Sequence, residues 1–165
     1  PAQNTLGYYM AFLYILRNAT GMTYVGVSRY PLVRLKQHNS AARSSQKHYT
    51  NRNRPWTIAA VFNGFTTRAQ ALRAEYMIKH QPHKIRHPVT IVARIATAQA
   101  TCTHLLRTDD KFRTVKALAV VMWEESIYQA VHSRTSCLSS VADGGVTLIH
   151  VSLTGLPVSY VWIPL

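Results

Sequence analysis

Residues 9–16 and 23–28 are two runs of bulky and β-branched side chains, separated by Asn18-Ala19-Thr20-Gly21. That spacing leaves room for one tight reversal, so the two runs are expected to pair as an antiparallel hairpin. Tyr30-Pro31 then opens a short helix to about residue 39, with proline in the first turn, where its missing N–H costs nothing. Residues 40–55 are polar and aperiodic and read as a loop; residues 57–63 alternate into a third strand. Gly64-Phe65-Thr66-Thr67 leads into a helix capped by Thr66 or Thr67 and ending near residue 80, with Ala71, Leu72, Ala74, Tyr76 and Ile78 on its buried side. Residues 81–88 form a break that contains prolines at 82 and 88. A further helix is expected over 89–106, a strand over 115–123, and a terminal hairpin from 146–152 and 158–163 after the Asp143-Gly144-Gly145 turn.

The fold class is therefore α+β. A small three-stranded antiparallel sheet flanked by helices occupies residues 1–88. A helical and β-hairpin C-terminal extension over residues 89–165 packs on it or on partners.

Charge is distributed unevenly. Residues 1–108 hold fifteen lysines and arginines and a single acid, Glu75, whereas residues 109–165 hold four bases and five acids. Nearly the whole net charge of +13 thus lies on one segment, as in a surface built for a polyanion. Lys36, Arg43, Lys47, Arg52, Arg54, Lys79, Lys84 and Arg86 are candidate phosphate contacts, and Trp56 is a candidate base-stacking ring. The weakly charged 109–165 region is the candidate docking surface for a protein partner. Glu75 either pairs with Arg73 or Lys79 along its helix, or serves as a lone divalent-metal ligand beside phosphates. Neither cysteine, Cys102 or Cys137, has zinc-ligand spacing, and the histidines at 38, 48, 80, 83 and 87 have no acidic company, so no zinc is expected.

The longest apolar run, residues 8–16, is nine residues, about half of a membrane span, so no membrane partner is expected. No basic segment precedes that run and no arginine-rich transit pattern is seen. The expected location is intracellular, with nucleus and mitochondrion equally open.

Phe12-Leu13-Tyr14 is followed ten residues later by Tyr24-Val25-Gly26, then by Arg34, His38 and, on the next long helix, Glu75. This order resembles the GIY-YIG nuclease family, closest to the branch that cuts flaps and Holliday junctions. Arg34-Leu35-Lys36-Gln37-His38-Asn39, Pro55-Trp56, Asn63-Gly64-Phe65 and Ala71-Leu72-Arg73-Ala74-Glu75-Tyr76 extend the likeness over residues 9–80. The resemblance implies a GIY-YIG fold and a catalytic set of Tyr14, Tyr24, Arg34, His38 and Glu75. Glu75 would hold one Mg2+ or Mn2+, and Arg34 would bind the non-bridging phosphate oxygens. Tyr14 or Tyr24 would take a proton from, or orient, the attacking water, and His38 would shuttle a proton or hold phosphate.

Phe12 stands where the family name has glycine, and the zinc module of junction-cutting relatives has no counterpart in residues 109–165. Two readings stay open. One is a metal-dependent, structure-selective endonuclease. The other is a non-catalytic rRNA-binding subunit of a large ribonucleoprotein such as a mitochondrial ribosome. A homing or restriction nuclease is a third, less favoured for want of a sequence-reading domain.

Overall fold

The computed structural model describes residues 10–40, 49–80, 90–135 and 146–150. The hairpin forms: β1 (Phe12–Asn18) pairs antiparallel with β2 (Thr23–Ser28), placing Tyr14 opposite Gly26 and Leu16 opposite Tyr24. Asn18 closes the reversal twice, its backbone carbonyl accepting from Gly21 and its side-chain oxygen from the Met22 N–H at 2.8 Å. On the other side of β1 lies β3 (Trp56–Asn63), also antiparallel. The register between them skips Ala59, so Ala59 and Ala60 both face the same core, a β-bulge within the sheet.

The helices follow from local signals. α1 (Pro31–Asn39) starts on its proline. A single turn, α2 (Tyr49–Arg52), lies inside the stretch expected to be loop. α3 (Arg68–Lys79) starts in a capping box, where the Gln70 N–H donates to Thr67 Oγ1 and the Thr67 N–H donates to Gln70 Oε1. α4 (Ile91–Thr108) is capped by Thr90.

The three-stranded antiparallel sheet expected from the sequence is β2-β1-β3, and it carries two more strands, β4 (Leu118–Met122) and β5 (Val146–His150). β4 pairs antiparallel with β3. β5 pairs parallel with β4, a pairing reached through α5 (Glu125–Thr135). The extension thus continues the same sheet, with β5 at the position of the first arm of the expected terminal hairpin. The second arm, 158–163, and the Asp143-Gly144-Gly145 turn lie outside the described residues. Among those residues no helix is long and apolar enough to cross a membrane.

Two apolar clusters cover the two faces. The larger joins Leu13, Ile15, Ala60 and Phe62 to Ala71, Ala74 and Ile78 of α3, to Ile95, Ala98 and Leu105 of α4, and to Ile127 and Val131 of α5. Each large side chain buried there contributes roughly 1.5–3 kcal/mol. The α3 positions 71, 74 and 78 form one helical stripe; Leu72 and Tyr76, expected on it, fall outside it and are exposed. The smaller cluster, Tyr14, Leu16, Trp56 and Val61 with Tyr24 and Leu35, lies under α1 and carries the candidate site.

Candidate active site

Strand alternation turns Leu13 and Ile15 toward the larger core and sends Tyr14 to the opposite face. There its ring crosses β2 at Gly26. A Cβ at that position would lie 2.5 Å from the Tyr14 hydroxyl, 2.6 Å from its Cζ and 2.9 Å from Tyr24 Cε1. Only glycine leaves room for this crossing, which gives the last residue of Tyr24-Val25-Gly26 a physical purpose that sequence order alone does not reveal.

The Tyr14 hydroxyl hydrogen-bonds His38 Nε2 at 2.9 Å, with the donor set by the imidazole tautomer. Tyr24 packs its ring edge-on to His38, 5.0 Å between centroids. Both members of the hydrogen-bonded pair are sequestered, Tyr14 at 1% exposure and His38 at 5%. Burial, followed by the neighbouring Tyr24, holds the Tyr14 phenol well above its ordinary pKa; Arg34 pulls it down by charge and by a hydrogen bond, and Glu75 adds a small upward push. Burial thus outweighs the Arg34 charge at the Tyr14 phenol. His38 is pushed down to about 4, by burial first and by Arg34 second. Near neutral pH the pair is thus a neutral phenol on a neutral imidazole.

The charges lie around this pair. Arg34, one turn before His38 on α1, donates through Nη1 to Gln37 Oε1 at 2.8 Å. Glu75 and Lys79 come from α3 and form an ion pair at 2.7 Å, one of the two options that the sequence leaves for Glu75. Arg73, the other potential partner, pairs instead with Asp109. Lys79 Nζ also stands 5.3 Å from the Tyr24 ring centroid, so a candidate phosphate contact adjoins the candidate site. All five residues of the implied catalytic set therefore come together. Their spatial closeness arises because β2 is the sheet edge, with α1 over one face and α3 against the other.

The remaining candidates divide. Lys36, Arg52 and Arg54 are exposed, and Arg54 Nε donates to the Asn51 carbonyl. Arg43, Lys47, Lys84 and Arg86 lie outside the described residues. Trp56 is a correction: at 1% exposure, with its indole N–H donating to the Thr50 carbonyl at 2.8 Å, it is a core residue whose faces are covered. Sequence order assigns no role to Asn39. Its side chain clamps α1 to β3, accepting from the Trp56 N–H at 2.7 Å and donating to the Trp56 carbonyl at 2.9 Å. An asparagine ending a helix before an X-Pro-Trp strand start is the one available signal.

Glu75 is a single carboxylate, a hard oxygen donor suited to a cation that keeps its waters and shares substrate phosphate. Among the described residues no three His, Cys, Asp or Glu side chains converge, so phosphate and water would complete the shell.

Residues 10–86 match the family described as GIY-YIG catalytic domain. The structure-specific endonuclease subunit SLX1 homolog of Leishmania infantum is 31% identical over 123 residues, covering 72% of this chain and 17% of that protein. Structure-specific endonuclease subunit slx1 of Schizosaccharomyces japonicus is 33% identical over 81 residues, covering 48% of this chain and 29% of its own length. The slx1 subunit of Talaromyces stipitatus is 40% identical over 78 residues, covering 45% and 20% respectively. The matched segments span less than a third of each of these relatives. With tyrosines on paired strands, arginine and histidine on the following helix and glutamate on the next long one, residues 10–86 belong to the GIY-YIG domain family.

Proposed function

We propose that this chain is a divalent-metal-dependent endonuclease that hydrolyses phosphodiesters in branched nucleic acid. The observation that carries the reading is the convergence of Tyr14, Tyr24, Arg34, His38 and Glu75 at one sheet edge. Relatives described as structure-specific endonuclease subunits support the reaction class, and the word subunit supports a protein partner, for which residues 109–165 remain the candidate surface.

In this reading Glu75 would hold one Mg2+ or Mn2+, which when bound supplies charge stabilisation at the scissile phosphate. Arg34 binds the non-bridging oxygens with its planar fork. Tyr24, only partly buried, is the phenol that can meet the attacking water, whereas Tyr14 is sealed. The Tyr14–His38 pair fixes the floor on which Tyr24 packs. Lys79 keeps Glu75 paired until a cation competes for it.

The test is nicking of an end-labelled 5′-flap duplex by the purified chain in Mg2+, Mn2+ or EDTA. Metal-dependent nicking near the branch is expected. Tight nucleic-acid binding without nicking under any of these conditions would favour the structural-subunit reading instead.

A further inference from the structure

Helix α1 buries Pro31 and His38 and half-buries Arg34 and Leu35, yet leaves apolar side chains in solvent: Leu32 at 41%, Val33 at 52% and the preceding Tyr30 at 59%. These apolar side chains adjoin basic ones: the Arg29 guanidinium carbon stands 5.4 Å from the Tyr30 ring centroid, and exposed Lys36 follows Val33 by three positions. The patch is also beside the site. The Arg34 N–H donates to the Tyr30 carbonyl at 3.0 Å, so the two residues are one turn apart, about 6 Å along the axis.

From this we infer that Tyr30, Leu32 and Val33 form a platform for an unpaired nucleobase at the branch of the substrate. The inference rests on the proposed function, because it places the scissile phosphate on Arg34. Charge complementarity selects the occupant. Cations flank the patch and no acid lies on α1, so it suits a ligand that is anionic along its backbone and flat and apolar at its bases. An aromatic ring with an arginine beside it stacks on any base, whichever it is. Duplex bases are already stacked on each other, so the platform rewards a strand end, flap or gap. It would thereby supply the branch preference that phosphate contacts alone cannot give.

The experiment uses the full chain carrying Glu75→Gln, so that substrate survives. A 5′-flap DNA with 2-aminopurine at the first unpaired position is compared with a paired duplex of equal length, following anisotropy and 2-aminopurine emission. Flap binding is expected to be about tenfold tighter than duplex binding, with emission quenched on stacking. Adding Tyr30→Ala with Val33→Ser should restore the emission and erase the preference while duplex affinity holds, and Tyr30→Phe should keep both. An unchanged preference in the double variant would overturn the inference. So would equal weakening of flap and duplex, or loss of self-association with preference intact, the mark of a protein-docking patch. Absence of any DNA binding by the parent chain would overturn the proposed function itself, a separate result.

Discussion

Replacing Gly26 by alanine puts a methyl group where the Tyr14 ring crosses β2. Its nearest neighbours would be the Tyr14 hydroxyl at 2.5 Å, Tyr14 Cζ at 2.6 Å and Tyr24 Cε1 at 2.9 Å, all well inside van der Waals contact. The end of a tyrosine side chain can normally swing away, but this one is 1% exposed and packed among Leu16, Trp56 and Val61. Overpacking of this kind costs about 1–3 kcal/mol. Displacing the hydroxyl also breaks its bond to His38 Nε2, worth about another 1 kcal/mol. The expected loss is roughly 2–4 kcal/mol by urea unfolding. A double-mutant cycle with Tyr14→Phe isolates the cause, because that change deletes the closest atom. The Gly26→Ala cost should shrink by about 1 kcal/mol or more when Tyr14→Phe is already in place. Strict additivity, or a Gly26→Ala chain as stable as the parent, would refute the crossing geometry.

His38 gives a pH prediction. Its folded pKa of about 4 lies below the ordinary 6.5, so its contribution to stability is complete above pH 6.5 and is lost as pH falls towards 4. The decline, at most about 3 kcal/mol, should flatten in His38→Gln when unfolding is followed across that window. Gly64, at φ +112°, brings the Ala117 carbonyl against the position a Cβ would take, at the junction of β3 with β4. Gly64→Ala should therefore cost about 2 kcal/mol or more in thermal unfolding; a neutral result would mean that β4 does not lie there. Lys79→Met should raise Mn2+ affinity about two- to fivefold at low salt by freeing Glu75 from its ion pair, measured by titration calorimetry; unchanged affinity would remove Glu75 from the metal site.

The hairpin and α1 are legible because each has a local signature, Asn18-Ala19-Thr20-Gly21 and Pro31. The third strand is legible as the apolar run 58–62 before Asn63-Gly64, but the alternation expected over 57–63 is broken by the bulge at Ala59. The site is legible as an ordered series of residue types, though its geometry is not. That Tyr14 is sealed depends on Gly26 opposite it in the register, and register is a tertiary property. Trp56 reads as a base stacker because it follows a basic stretch; the Thr50 carbonyl that satisfies its indole N–H is what permits its burial. Hydrophobicity alone puts Leu72 and Tyr76 on the buried stripe, yet the stripe follows the small residues Ala71 and Ala74, which let α3 approach the sheet. Helix α5 has two buried apolar positions, Ile127 and Val131, too few for a periodic signal. The continuation of the sheet through a parallel β5 has no local signature at all.

The central claim is that Glu75 serves metal-dependent phosphodiester hydrolysis. Single-turnover cleavage of a flap substrate by the parent chain and by Glu75→Gln, with Mg2+ and again with Mn2+, tests it most directly. The substitution removes one ligand charge and the Lys79 ion pair, which contributes under about 1 kcal/mol, so folding and binding should be nearly unchanged. The account predicts cleavage by the parent chain and a loss of about a thousandfold or more in Glu75→Gln. Cleavage at parental rate by Glu75→Gln, or none by a folded, nucleic-acid-bound parent chain in either metal, would contradict it.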